Sequence, residues 1–361
     1  MVRSSEIVDT PAEAAELELA PLIVREPFEA HLDAHGLGSG PIEAERIGEG
    51  HSNVTYLIRR EELRFVLRRP PRPPLPPSAH DVLREARVLE AVQGSEVRVP
   101  RVLSSTDDES ILGVPFYVME YLEGSVITSE LPEALDSPDE RERMGLELID
   151  ALAEIHAVDW KAAGLEGFGK PSGYLERQIR RFSGLWDQGK TREVEAVDEV
   201  ARWLGDHVPE SPPATIVHGD YRLGNTMFGP GQPARIVAVF DWELATIGDP
   251  LADLGYLTAT YAQADDPDTM LFKLSAVTRA EGFPTRDELI ARYEEGTGRS
   301  MSDLRWYQAL ALWKSAVFLE GSYARYKAGT TDDEWFAMLE QGVPDIADAA
   351  LEITRQPAPH A

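Results

Sequence analysis

Val217-His218-Gly219-Asp220-Tyr221-Arg222-Leu223-Gly224-Asn225, followed downstream by Phe240-Asp241-Trp242, is the stretch from which the fold of this chain can be read. Thr215-Ile216-Val217 is a short β-branched run leading into the first segment, and Arg235-Ile236-Val237-Ala238-Val239-Phe240 a longer apolar run leading into the second. Both predict strands. Asp220 and Asp241 then stand at strand ends, with Asn225 in the loop after the first. Phosphoryl transfer uses these residue types: an acid to orient an acceptor hydroxyl, and hard oxygen ligands for Mg²⁺. Asp and Asn are also common turn formers. The spacing, the strand context and the second acid favour a site over a pair of turns.

Composition bounds the remaining possibilities. A chain of 361 residues is long enough for two lobes with real cores. Asp and Glu number 63 against 35 Lys and Arg, for a net charge of −28. Such a surface repels phosphate backbones, which argues against nucleic acid or an anionic membrane as partner. The acidity suits a cationic substrate and equally serves solubility. There is no cysteine, so thiolate chemistry, disulfides and Cys-based metal sites are excluded. A cytoplasmic location is expected from the absence of cysteine, and no secretory signal is visible, since the N-terminus lacks a basic start followed by an apolar core. The apolar run 309–313 is cut by Lys314 and is too short to span a bilayer.

The organisation expected is α+β. Residues 1–25 read as an acidic, Ala-rich, loosely held lead-in. Residues 26–122 read as a small lobe of antiparallel strands. Glu45-Arg46-Ile47 and Val54–Ile58 form a hairpin around the turn Gly48–Asn53, and a second hairpin step leads to Leu63–Arg68. The proline run 70–77 is an extended connection, Asp81–Val92 has helical spacing, and strands follow around Ile111 and at Phe116–Met119. From 123 to 361 the pattern is helical, apart from the strand-loop-strand of 215–241.

From about residue 40 to 325 the chain resembles the aminoglycoside phosphotransferase family, which shares the protein-kinase-like bilobal fold. The resemblance rests on Val217–Asn225 and on Phe240-Asp241-Trp242-Glu243-Leu244-Ala245-Thr246-Ile247-Gly248-Asp249-Pro250-Leu251-Ala252-Asp253-Leu254-Gly255. The second string, with Arg177 and Leu319–Tyr326, looks most like the branch found in bacterial phosphotransferases and fused to some acyl-CoA dehydrogenases. The resemblance implies that residues 26–122 bind the nucleotide and that 123–361 carry the catalytic loop and acceptor site. It implies Asp220 as the acid/base that aligns the acceptor hydroxyl, with Asn225 and Asp241 as Mg²⁺ ligands and ATP as donor. Gly219 stands where protein kinases place an arginine that senses activation-loop phosphorylation, so that control is not expected. Only eleven residues separate Asp241 from Asp253, too few for a peptide-binding platform, so a small-molecule hydroxyl acceptor is expected.

On the nucleotide side, Gly48, Gly50 and Ser52 permit close backbone approach to phosphates, although the kinase loop's third glycine is missing. Val66 and Arg68 share a strand face, where the family's adenine-lining residue and phosphate-binding lysine belong. Arginine replaces lysine and is expected to pair with Glu85 on the following helix. Arg69 on the opposite face is expected to matter little. The resemblance places Glu120 and Leu122 at the adenine-contacting hinge. Asp249-Pro250 reads as a helix cap, Asp253 by resemblance as a brace for the catalytic loop, and His156 as a hydrogen-bonded core histidine. Tyr174, Arg177, Arg180 and Arg181 form a helical row that suits an anionic acceptor or a solvated face. Three functions stay open: an aminoglycoside phosphotransferase-like enzyme, a hydroxyacyl-CoA or hydroxy-acid kinase, and a nucleotide-binding pseudokinase or scaffold.

Overall fold

A computed structural model describes residues 6–48, 53–72, 80–330 and 333–356. They fall into two compact units. The first comprises the described residues up to Gly94, Val99–Glu123 and Asp241–Glu243; the second comprises Ser95–Arg98, Gly124–Phe240 and the chain from Leu244 onward.

The first unit contains β1 (Ile7–Val8), α1 (Pro11–Ala15), β2 (Ile23–Val24), α2 (Arg25–Ala34), β3 (Glu43–Arg46), β4 (Val54–Arg60), β5 (Leu63–Arg69), α3 (Val82–Val92), β6 (Val102–Thr106), α4 (Glu109–Leu112) and β7 (Phe116–Glu120). Strands β3-β4-β5-β7-β6, in that order, make one antiparallel sheet. Alternation along β5 sends Phe65 and Leu67 into a cluster with Phe28, Tyr56, Ile58, Phe116 and Val118. Each large side chain buried there contributes about 1.5–3 kcal/mol. The same alternation leaves Val66 and Arg68 together on the other face. Asp81 caps α3 by accepting from the Arg84 N–H at 3.0 Å.

Two local expectations fail here. Residues 6–25 are not a loose lead-in: β1 pairs in parallel with β2, and Leu22 and Ile23 are buried in the unit's core. The strand expected at Ile111 is the short helix α4, while the strand itself lies earlier, at β6. A helix-capping Asp108, accepting from the Ser110 N–H, and Gly113 in the left-handed region at φ +75° bracket that helix. Those caps outweigh the β-branched residue.

The second unit contains β8 (Ser125–Val126), α5 (Pro138–Ala157), α6 (Tyr174–Gly189), α7 (Glu195–Asp206), β9 (Thr215–Val217), β10 (Thr226–Phe228), β11 (Ile236–Val239), β12 (Thr246–Gly248), α8 (Leu251–Thr260), α9 (Arg286–Thr297), α10 (Leu304–Lys327) and α11 (Leu339–Arg355). Ser137 caps α5, whose Met144, Leu148, Leu152 and Ile155 are buried at helical spacing. Strands β11-β10-β8 form one small antiparallel sheet, and β12 pairs with β9 in another. These two ladders position the loops of interest. The His218-Gly219-Asp220 turn leaves the end of β9, Asn225 sits immediately before β10, and Phe240 follows β11. No described helix is long and apolar enough to cross a membrane.

Candidate active site

In the second unit, the buried carboxylate of Asp253 on α8 fixes the turn after β9. It accepts the His218 N–H at 2.7 Å and the Gly219 N–H at 2.8 Å. It also faces His156 Nε2 at 3.2 Å, and the opposite ring nitrogen lies 2.6 Å from the Tyr293 hydroxyl. Burial works against both charges. His156 is driven below its ordinary pKa, whereas its hydrogen bond to Asp253 and the backbone donors hold Asp253 below the usual carboxylate range. An anionic acceptor and a neutral imidazole result, with Nε2–H donating to Asp253 and Tyr293 donating to Nδ1. His156 is thus the core histidine expected, and its acidic partner comes from 97 positions away. Gly219 has φ +90°, and a Cβ there would lie 2.8 Å from the Leu244 carbonyl oxygen, so the turn requires glycine.

The turn presents Asp220 and Asn225 to each other. Asn225 Nδ2 donates to the Asp220 backbone oxygen and to its Oδ2, both at 2.8 Å. That leaves the side-chain oxygen of Asn225, Oδ1, without a hydrogen bond among the described residues. His218 Nε2 donates to the Phe240 carbonyl at 2.8 Å, and the Phe240 N–H donates to the Asn225 backbone carbonyl at 2.8 Å, which joins the Val217–Asn225 segment to the start of Phe240-Asp241-Trp242. Asp220 has two further neighbours that were not among the expected site residues. Arg222 Nε lies 3.7 Å from its Oδ2, and the Tyr256 phenol lies in its field, where burial and the nearby Asp220 charge push the tyrosine's pKa up. Arg222 belongs to the Val217–Asn225 string, and its position two residues after Asp220 is the signal that could have found it. Tyr256, one turn past Asp253 on α8, carries no sequence signal at all.

In the first unit, Arg68 is the hub. Its Nε donates to Glu85 on α3 at 2.9 Å, as expected, and its Nη2 donates to Asp241 at 2.8 Å, a pairing with no counterpart among the expectations. Thr55 on β4 accepts a third, longer bond at 3.4 Å. Burial opposes the charge on Arg68, but Glu85, Tyr117 and Asp241 together hold its pKa above the ordinary value. Asp241 itself has φ +64°, a conformation that a short polar residue tolerates. Val66 is buried and pairs with Met119. Gly48 has φ +77° and open space where a Cβ would stand, whereas Gly50 and Ser52 lie outside the described residues. Asn53, just after that loop, is buried, and its side-chain amide has no partner among the described residues. Glu120 closes β7 with its N–H on the Arg101 carbonyl, and Leu122 follows two residues on.

Arg69 corrects an expectation. It is 1 % exposed and donates to the backbone carbonyls of Leu22, Pro70 and Leu112. It locks β5 to the N-terminal segment that was expected to be loose, so replacing it is not innocuous. Asp249 accepts from the Leu251 N–H, so it caps α8 one position further back than expected, with Pro250 at the cap itself. Arg177 donates to the backbone carbonyls of Lys170 and Ser172, which makes it a loop anchor.

The oxygen donors fit Mg²⁺. A carboxamide oxygen and a carboxylate are hard ligands, and no described group of three or more His, Cys, Asp or Glu is arranged as a protein-only metal cage. Mg²⁺ is commonly held by one or two carboxylates together with substrate phosphates. The orphaned Asn53 amide and the Arg68 guanidinium are groups suited to phosphate oxygens.

A model of the phosphotransferase enzyme family matches residues 43–310. Among curated relatives, acyl-CoA dehydrogenase family member 10 of Mus musculus is 36% identical over 293 residues, covering 81% of this chain and 27% of that protein. Acyl-CoA dehydrogenase family member 11 of Gallus gallus is 32% identical over 326 residues, covering 88% of this chain and 41% of that protein. The chain thus spans less than half the length of these relatives. Among solved structures, a Ralstonia eutropha protein proposed to be an aminoglycoside phosphotransferase superposes with TM-score 0.80 at 32% identity, covering 91% of this chain and 98% of its own. A spectinomycin phosphotransferase in complex with ADP and its antibiotic superposes with TM-score 0.58 at 11% identity, covering 91% of this chain and 98% of its own. The likeness to the spectinomycin enzyme shows the fold alone: α+β, bilobal and protein-kinase-like.

Proposed function

The chain belongs to the phosphotransferase enzyme family, and from that premise we propose that it transfers the γ-phosphate of ATP to a hydroxyl of a small molecule. The observation that carries the reading is the Asp220–Asn225 pair on a turn fixed by Asp253. Asp220 accepts the hydrogen bond of the acceptor hydroxyl and orients its oxygen toward the γ-phosphorus. As the new P–O bond forms, the bond from the γ-phosphorus to the β,γ-bridging oxygen breaks, ADP departs, and the hydroxyl proton passes to Asp220. Asn225 and Asp241 are the proposed Mg²⁺ ligands. When bound, Mg²⁺ supplies positive charge that neutralises the β- and γ-phosphate oxygens. Arg68, held by Glu85, is the proposed phosphate clamp, with Gly48, Gly50 and Ser52 as the phosphate loop and Val66, Glu120 and Leu122 around adenine. On this reading residues 26–122 serve the nucleotide and residues 123–361 the acceptor.

For the acceptor, a hydroxyacyl-CoA or hydroxy acid is favoured over an aminoglycoside by one specific observation: the curated relatives that the chain matches are acyl-CoA dehydrogenase family members. A nucleotide-binding scaffold without turnover is disfavoured by the intact Asp220, Asn225 and Asp241. The test is a γ-phosphate transfer screen against hydroxyacyl-CoAs, hydroxy acids, aminoglycosides and neutral alcohols. Transfer to a hydroxyl supports the reading, and Mg·ATP binding with no transfer to any acceptor supports the scaffold.

A further inference from the structure

Helices α6 and α10 pack against each other in the second unit and run in the same direction, since Phe182 meets Trp313 at a ring separation of 6.2 Å while Thr191 and Arg192, just past α6, bond to Glu320. At this seam stand two cations. The Lys314 ammonium lies 4.9 Å from the centre of the Phe182 ring, and the Arg181 guanidinium lies 5.9 Å from the same ring. Neither side chain makes a hydrogen bond or ion pair with the described residues, although the protein carries 28 more acids than bases. The carboxylate that attracts Lys314, Asp253, already serves His218, Gly219 and His156.

Arg181 is exposed and solvated, so the need for a counter-ion comes from Lys314. A partly buried ammonium without a counter-ion costs free energy, and the aromatic face of Phe182 offsets only part of it. Burial and Arg181 depress the Lys314 pKa to about 8, and an anion bound beside both cations would relieve that penalty. Tyr174, at the start of α6, is packed against Gly248 of β12 and lies in the field of Arg181 and Asp253. Tyr174, two turns before Arg181 on α6, thus links the helix that carries the arginine to the strand that pairs with β9, which leads into the Asp220 turn.

We propose that Lys314 and Arg181 form the binding site for an anionic group, carboxylate or phosphate, carried by the phosphoryl acceptor. This deepens the function proposed above and rests on it for the word acceptor, but the anion site itself can be tested without nucleotide or turnover. The chain has only six lysines, so reductive ¹³C-methylation gives a resolvable NMR spectrum, with Lys314→Arg identifying the Lys314 resonance. The probes are inorganic phosphate, 3-hydroxybutyrate and the uncharged methyl ester of 3-hydroxybutyrate. The Lys314 resonance should shift saturably with one or both anions and not with the ester, and the tighter anion identifies the group. Arg181→Ala should weaken that binding about tenfold, as expected for one lost charge-assisted contact. Binding should also fade as pH rises through about 8, since the charged groups facing Lys314 are Arg181 from α6 and Asp253 from α8. A Lys314 resonance that moves no more than those of the other five lysines, or an unchanged affinity in Arg181→Ala, would overturn the proposal. Either result would leave the phosphotransfer reading standing, and a failed transfer screen would leave the anion site standing.

Discussion

At the scale of single residues, Asp220 and Arg68 carry different parts of the account. Asp220→Asn should lower kcat by about 10²–10⁴, the range for a lost general base, with little change in nucleotide affinity. Comparable turnover in the variant at saturating acceptor would remove Asp220 from the chemistry. Arg68→Ala should raise the KM for ATP and lower kcat, while Arg68→Lys retains part of the activity, because charge survives without the fork that bonds Glu85 and Asp241. If lysine performed no better than alanine, a charge-based clamp would be ruled out. Arg69 is legible in the sequence only as a strand residue facing away from Arg68, on a face that looks dispensable. What the sequence does not display is that this face is closed by residues 22 and 112, whose carbonyls the guanidinium satisfies. Arg69→Ala should therefore destabilise the protein by about 3 kcal/mol, since buried carbonyls lose their donors. An unchanged urea midpoint would contradict that.

At the scale of elements, the turn that carries Asp220 depends on a buried ionic and neutral pair whose members lie on α5 and α8. His156 is held below its unfolded pKa, so below about pH 6.5 the unfolded chain binds a proton that the native state resists. Stability should fall as pH drops from 7 toward 5, by up to about 1.4 kcal/mol per pH unit from this one group. Asp253, whose native pKa is depressed, contributes in the same direction only at lower pH, as its carboxylate becomes protonated. In His156→Gln the slope between pH 7 and 5 should flatten, as measured by urea midpoints; an identical slope would exclude His156 as its origin. The strands β9 and β11 and the helix α5 were legible because their apolar periodicity is local. Helix α4 and the β1–β2 pair were not, since short elements are decided by capping and by long-range packing. The Arg68–Glu85 contact was readable from register, whereas Arg68–Asp241 spans 173 positions and depends on tertiary structure.

At the scale of the whole molecule, the central claim is that this chain is an active small-molecule phosphotransferase. The two segments that revealed the fold also carry the proposed catalytic groups, so the fold was legible there and the proposed site rests on the same residues. The acceptor was not, because fold does not imply substrate. Surface charge adds a constraint: at −28 the protein repels anions at long range, so an anionic acceptor should bind more tightly as salt screens that repulsion, up to the concentration at which it also screens the local contacts. The most direct measurement incubates the purified protein with Mg²⁺, γ-labelled ATP and the acceptor panel, alongside Asp220→Asn, and identifies the product by mass and by ³¹P NMR. A phosphate monoester on a hydroxyl of one acceptor class is expected, formed by the wild type and nearly lost in Asp220→Asn. Nucleotide binding without ester formation on any acceptor, or ester formed equally by the variant, would contradict it.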